Sequence, residues 1–357
     1  MLYALRQRIK NFLSSSFFLV ISYSLCTKYF FNRSEFGDVY SIPVLKINIT
    51  ILEIFRYIFF IYAIALFIIY FFARKAVIGK GVYAIKALRK ILSSPIIVFE
   101  KGLSKEEKIG LLAILVKMFF TPLLISWFLA NFSQSVLHTA QTLQSRGLLL
   151  SNFMLIFQQH LFFMFFNIIL FVDVFFFTFG YLIELSIFKN KIISVEPTLL
   201  GWLVTLICYP PFNTYANRLI GWNSVDFPYF ANPYLFLIIN ISILVLLGVY
   251  SWASLALGFK ASNLTHRGII THGPYRLIRH PAYVCKNLAW WLGGLTFIIS
   301  AGHQGLLPFA IVILSLSSWS LIYFFRAMTE ERHLKSVNSE YDEYIKKVPY
   351  RFIPFVL

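Results

Sequence analysis

Blocks of about 20 apolar residues recur along this chain, parted by short polar segments, and each is long enough to cross a bilayer core roughly 30 Å thick. A chain that buries backbone in lipid must satisfy its own N–H and C=O groups, which leaves helices or a closed barrel. Blocks this long and continuous specify helices. Apolar residues make up 59% of the sequence, with 40 Phe and 20 Tyr, and charged residues only 13%. That composition excludes a water-soluble globular domain. The predicted fold class is therefore all-α, a polytopic transmembrane helical bundle.

Eight spans are predicted, at 12–31, 51–73, 109–131, 161–183, 198–212, 233–257, 283–300 and 305–325. The first follows Arg6, Arg8 and Lys10 and reads as a span rather than a signal peptide, because no small-residue cleavage site follows it. The fifth is short and ends at Pro210-Pro211. Loop charge fixes the orientation. Residues 74–108 hold nine Lys and Arg (Arg74, Lys75, Lys80, Lys86, Arg89, Lys90, Lys101, Lys105 and Lys108), whereas 132–147 holds Arg146 alone. By the positive-inside rule the first loop is cytoplasmic and the second is not. Propagated along eight spans, this puts Lys189, Lys191, segment 258–282, residues 326–357 and both termini in the cytoplasm. A bacterial inner membrane is favoured over the endoplasmic reticulum. Within 74–108, residues 82–98 read either as an amphipathic helix on the inner surface or as an ordinary basic loop.

A net charge of +17, from 32 Lys and Arg against 15 Asp and Glu, on a soluble protein points to nucleic acid. Here the charge sits in loops, and the expected partners are membrane lipids, with no nucleic acid. Cys26, Cys208 and Cys285 have no paired spacing, and His266, His272 and His280 match no metal-ligand template. No metal site is expected. Asp173, in mid-span, reads as a functional carboxylate or as a hydrogen-bonded structural one.

The polar stretch 257–288 concentrates turn residues and cations. Gly273-Pro274 is a turn signal, and Pro281 suits the first turn of the next span, which places His280 at a helix mouth. Such a mouth offers N–H groups and partial positive charge to an anion. Arg276 and Arg279 stand beside it as further cations or as lipid-headgroup anchors. The following hairpin of two spans returns the chain to the same membrane face. It brings Arg326, Glu330 and Glu331 back toward 273–281. At 100° per residue Arg326, Glu330 and His333 share a helix face while Glu331 points elsewhere, so the two carboxylates have different jobs. The plain alternative is a surface ion pair between Arg326 and Glu330, with Glu331 solvated.

At Gly273-Pro274-Tyr275-Arg276, Arg279-His280-Pro281-Ala282-Tyr283 and Glu330-Glu331, followed by Leu334, Tyr341, Tyr344, Val348-Pro349 and Pro354, the chain resembles the integral-membrane methyltransferases. That superfamily includes isoprenylcysteine carboxyl methyltransferases and phospholipid N-methyltransferases. The resemblance covers about residues 240–357. It divides the chain into a catalytic region, 231–357, and an N-terminal transmembrane region, 1–230, of unassigned role.

The resemblance implies S-adenosylmethionine as cofactor and methyl transfer to a lipidic or membrane-partitioning acceptor: a prenylcysteine carboxylate, a phospholipid amine or a small thiol. It further implies cofactor binding by His272, Gly273, Pro274, Tyr275, Arg279, His280, Pro281, Tyr283 and Glu331, with Arg326 and Glu330 on the substrate side as the catalytic pair. Cys285 stands where the family usually has a small residue, often Gly, and Lys286 follows it, so the cavity wall departs from the family pattern. Two other classes compete. A nicotinamide-dependent membrane reductase has a similar helical arrangement in the sterol reductases, and a transporter or scaffold would draw on Asp173 and Glu184.

Overall fold

The computed structural model describes residues 2–30, 39–42, 47–72, 78–96, 98, 102–145 and 152–354. Arg74, Lys75, Lys101 and Arg146, which entered the loop-charge argument, lie outside them. The chain is a mostly helical, multi-pass membrane bundle with seven helices, among the described residues, long and apolar enough to cross a bilayer. It divides into two compact units, 1–130 and 131–357. The division falls well before the boundary at 230/231 read from the sequence.

In the first unit, α1 (Leu2–Leu25) packs on α2 (Ile51–Phe72). Phe12 lies edge-on to Phe67 and Phe71, and the Ser15 and Tyr70 hydroxyls are 2.9 Å apart. A short antiparallel pair, β1 (Val39–Ile42) and β2 (Ile47–Thr50), precedes α2. Thr50 and Glu53 then cap the helix reciprocally. α3 (Lys80–Ser93) buries Gly81, Ala84 and Ala87 and exposes Lys86, Arg89 and Lys90. It is an amphipathic helix, as one of the two readings of this stretch expected. The 40-residue α4 (Lys105–Gln144) follows.

In the second unit, α5 (Phe153–Ile156) passes through a π turn into α6 (Phe162–Leu182). The predicted span at 198–212 is not a membrane-length helix. It comprises the short α7 (Leu199–Leu206) and a turn, before α8 (Phe212–Ile220). Pro210 and Pro211 remove two N–H donors in succession, so no continuous helix forms there.

α9 (Pro233–Leu257) starts at an Asn232 cap with Pro at its first position. It runs parallel to α6. Phe157 meets Phe236, Asp173 meets Tyr250 and Ser254, and Gly180 meets Ala261. Two parallel neighbours require the chain between them to return across their length. Segment 183–232 does this with two short helices and turns instead of a span. Its far half is fastened to the hairpin α10 (Pro281–Gln304) and α11 (Leu306–Val337). Val225 donates to the Gly293 carbonyl, Ser224 to that of Trp290, and Trp319 and Ser315 to that of Gly221. A final helix, α12 (Glu340–Lys347), lies beside the cavity described next.

Candidate functional site

The loop from α9 to α10 reaches the hairpin end through a glycine made necessary by geometry. Gly273 has φ +62°, and a Cβ there would sit 3.0 Å from Ala256. The turn Gly273–Arg276 follows, and Pro281 opens α10 as expected.

Glu331 holds the assembly together. One of its oxygens, Oε1, accepts from Arg279 Nε at 2.8 Å, Arg351 Nε at 3.0 Å and His280 Nε2 at 3.1 Å, and the other from Arg351 at 2.9 Å. Arg279 also donates to the carbonyls of Val348 and Pro349, while its own N–H and that of His280 donate to the carbonyls of Tyr350 and Arg351. The Arg351 guanidinium is pushed above its ordinary value by its hydrogen bonds to this carboxylate. Residues 348–351 thus form a strap pinned to 279–280 and to α11. Arg279 is a buried ion-pair partner here and not a headgroup anchor; Arg276 and His272 are exposed.

Glu330 differs from its neighbour. Its side chain is 49% exposed against 3% for Glu331, and it accepts a hydrogen bond from the Tyr283 hydroxyl at 2.9 Å. Tyr283 stacks on His280 at 11° between ring planes. Arg326 pairs with neither carboxylate. It is 4% exposed, with its guanidinium 4.9 Å from the Tyr323 ring, 5.1 Å from Tyr283 and 5.7 Å from Tyr209. It donates to Asn263 Oδ1 at 3.1 Å, and its buried Nε has no partner. The surface ion pair that i,i+4 spacing allowed is absent because the cavity draws Arg326 inward, toward the rings.

These groups face an open cavity of about 1100 Å³, solvent at its mouth included, lined from α6, the turn after α7, α9, the loop, α10, α11 and α12. Tyr275, Arg279, His280, Tyr283, Arg326 and Glu330 line it; Gly273, Pro274 and Pro281 shape the loop without lining it. Burial pushes the Tyr275 and Tyr344 phenols up, so both are neutral hydroxyls. Tyr344 donates to the Tyr275 carbonyl at 2.8 Å.

Lys286 also lines the cavity, over the rings of Trp290, Tyr250 and Tyr323 at 5.3, 5.5 and 5.8 Å. Tyr250 and Ser254 donate to the buried Asp173, which therefore has the hydrogen-bonded setting that one of its two readings proposed. Sequence reasoning noted Lys286 only as a departure from the family pattern. Its spacing from Tyr283 and Trp290, at i−3 and i+4, was the available signal.

A smaller hollow shares Asn263, Tyr283, Arg326 and Glu330 and adds Glu196 and His333. His333 lies 2.7 Å from Ser194 Oγ and 3.2 Å from Glu196. Burial raises the Glu196 carboxyl, but hydrogen bonds from His333 and Thr198 outweigh it and hold the group below its ordinary value. The antiparallel pair β3 (Ser194–Val195) and β4 (Thr265–His266) positions this cluster. Helical spacing put His333 on the face of Arg326 and Glu330; that Ser194 and Glu196 meet it had no signal, since two-residue strands carry no periodicity. Among the described residues no group of His, Cys, Asp and Glu has the makings of a metal site.

Over 98 residues the chain is 34% identical to the cobalt-zinc-cadmium resistance protein CzcN of Cupriavidus metallidurans; the match covers 28% of this chain and 39% of that protein. The chain thus spans well under half the length of that curated relative. No solved structure matches it. The stretch that carries Lys286, Arg326, Glu330 and Glu331, residues 236–348, matches the model of a family described as "Protein of unknown function (DUF1295)".

Proposed function

We propose that the chain is a membrane methyltransferase that uses S-adenosylmethionine and takes a membrane-partitioning acceptor. The observation that carries this reading is that the loop 273–283, the Glu330-Glu331 pair and the strap 348–351 are tied into one hydrogen-bonded assembly, of which the loop and Glu330 line a cavity. These are the segments whose motifs resemble the membrane methyltransferases. The charge of the loops supports a cavity that opens on the cytoplasmic side of its membrane, for which a bacterial inner membrane is favoured.

The residues present fit the cofactor. Tyr275, Tyr283 and Tyr344 supply aromatic faces for an adenine ring or a cationic sulfur, and the half-exposed Glu330 supplies a negative charge for an amino group. When bound, the cofactor supplies an electrophilic methyl group. The chain's own work is alignment and exclusion of water. Tyr283, held by His280 and Glu330, fixes one wall. Arg326, buried among tyrosines, orients an anionic or polar group of the acceptor. Glu331 acts at one remove: it holds His280, on which Tyr283 stacks, and ties the loop before α10 to the strap.

A nicotinamide-dependent reductase is the second reading, favoured by the surplus of cations on the cavity wall, which suits a pyrophosphate. Calorimetric titration of the purified chain in detergent with S-adenosylhomocysteine, beside NADPH, separates the two. Saturable binding of the former alone is expected, and its loss in both His280→Ala and Glu331→Ala. Binding of NADPH alone moves the assignment to the reductase. Retained S-adenosylhomocysteine binding in both variants refutes the placing of the cofactor.

A further inference from the structure

The hollow beside the cavity holds an arrangement that methyl transfer does not use. Ser194 Oγ lies 2.7 Å from His333 Nε2, and His333 Nδ1 lies 3.2 Å from Glu196 Oε2, with all three side chains buried. The carboxylate decides which ring nitrogen carries the proton. Glu196 is held below its ordinary value, so at neutral pH it is ionised and can only accept. Its partner, Nδ1, therefore bears the hydrogen, and Nε2 keeps a lone pair toward the serine hydroxyl. The other oxygen of Glu196 accepts from the Thr198 N–H at 3.0 Å and from the Thr198 hydroxyl, which fixes the carboxylate in place. A hydroxyl, an imidazole and a buried carboxylate joined in this way are the parts of an activated nucleophile, whatever their order along the chain.

The short strands turn these parts toward the hollow. Ser194 stands opposite His266 of β4, and Glu196 continues the pairing through its N–H to the Leu264 carbonyl. Residues two apart on a strand share a face, and so do directly opposed residues of an antiparallel pair. Ser194, Glu196 and His266 therefore lie on one face. Glu196, His266 and His333 line the hollow, so this face is the one turned to it. Asn263 and Arg326 line it too, and each leaves a buried nitrogen donor without a partner, at Nδ2 and Nε. Unpaired donors on the wall of such a hollow are what a developing oxyanion requires.

We propose that Ser194, His333 and Glu196 form a second reaction centre, a serine esterase site that opens on this hollow and takes a small carboxylic ester. Ser194 Oγ bonds to the acyl carbon while its proton passes to His333 Nε2. The ester C–O bond then breaks, and the leaving oxygen takes that proton and departs as the alcohol. Water repeats the sequence on the acyl-serine: its oxygen bonds to the acyl carbon, its proton goes to His333 and on to Ser194 Oγ, and the carboxylic acid is released. Ester and water are consumed, and acid and alcohol are formed. Asn263 and Arg326 hold the negative oxygen of each tetrahedral intermediate. Glu196 touches no reacting atom and is a positioning residue. No methyl donor takes part, so this activity stands apart from the methyl-transfer reading.

The test is reaction of the full-length chain in neutral detergent with a fluorescent fluorophosphonate, which phosphonylates activated serines, and with p-nitrophenyl acetate. Labelling at one serine, located on Ser194 by peptide mass, is expected, together with release of p-nitrophenol. Ser194→Ala should abolish both, and His333→Gln should slow labelling by at least about 100-fold, the lower end of what a general base contributes. Glu196→Gln should lower the maximal labelling rate by at least about tenfold at an unchanged half-saturating probe concentration, with partial recovery in Glu196→Asp.

No labelling, labelling at another serine, or p-nitrophenol release that persists in Ser194→Ala overturns the proposal. So does an unchanged labelling rate in a folded His333→Gln. Where a variant does not fold, the labelled residue in the unmodified chain decides. The S-adenosylhomocysteine titration contains neither reagent, so the two results are independent.

Discussion

Glu330 and Glu331 are adjacent and chemically identical, yet their surroundings give them opposite behaviour. Removing the charge of Glu331 leaves Arg279 buried and unpaired and frees Arg351, so Glu331→Gln should cost about 3–5 kcal/mol of stability. Glu330→Gln, losing one hydrogen bond at a half-exposed site, should cost about 1 kcal/mol or less. Denaturant unfolding of both variants in the same detergent measures the difference. That the two face apart was legible from the 100° step of a helix. That Glu331 meets Arg351 was not, because a contact between a helix and a later irregular segment leaves no periodic trace. Arg326 shows the same limit. Its spacing to Glu330 permits an ion pair, and only the tyrosines from three separate elements reveal why it points elsewhere.

At the scale of elements, the long helices and their starts were readable: apolar length gave the spans, and Asn232-Pro233 and His280-Pro281 gave two helix beginnings. The return of segment 183–232 as short helices was not: Pro210-Pro211 marks where a fifth span must end, but apolar length does not show that the helix already stops at Leu206. The segment's seat on α10 depends on a missing side chain. A Cβ at Gly293 would lie 2.1 Å from the Val225 carbonyl oxygen, whereas one at Gly248 in α9 meets nothing within 4 Å. Gly293→Ala should therefore destabilise the fold by about 1–3 kcal/mol. Gly248→Ala should be neutral or stabilising by up to about 1 kcal/mol, through helix propensity alone. Thermal unfolding of the pair provides an internally controlled comparison.

For the whole molecule, the cluster of Glu196, His266 and His333 sets a response to acid. The folded Glu196 carboxyl lies below its ordinary value of 4.5, so its stabilisation is present above that pH and is lost as pH falls through the folded value. Burial, and then the charge of His333, hold the His266 imidazole below 6.5. The unfolded chain then binds the extra proton first, and stability falls with pH from about 6.5 downward. Both groups act in one direction. The unfolding temperature should be level above about pH 7 and decline below it. Replacing Glu196 with Gln should lower the plateau and flatten the lowest part of the curve, and replacing His266 with Gln should flatten its upper part. A decline toward alkaline pH instead, in the unmodified chain, contradicts this assignment.

The strap also closes a loop of chain. Arg279 donates to the carbonyls of Val348 and Pro349, 69 and 70 residues further on, and Glu331 joins Arg279 to Arg351. The hairpin and α12 lie between the two tied points. In polymer terms this part of the chain is a ring fastened by a non-covalent knot, and the entropy of closing it is met by several bonds at one place. A single cut in the chain inside the ring would leave its ends still held by that knot.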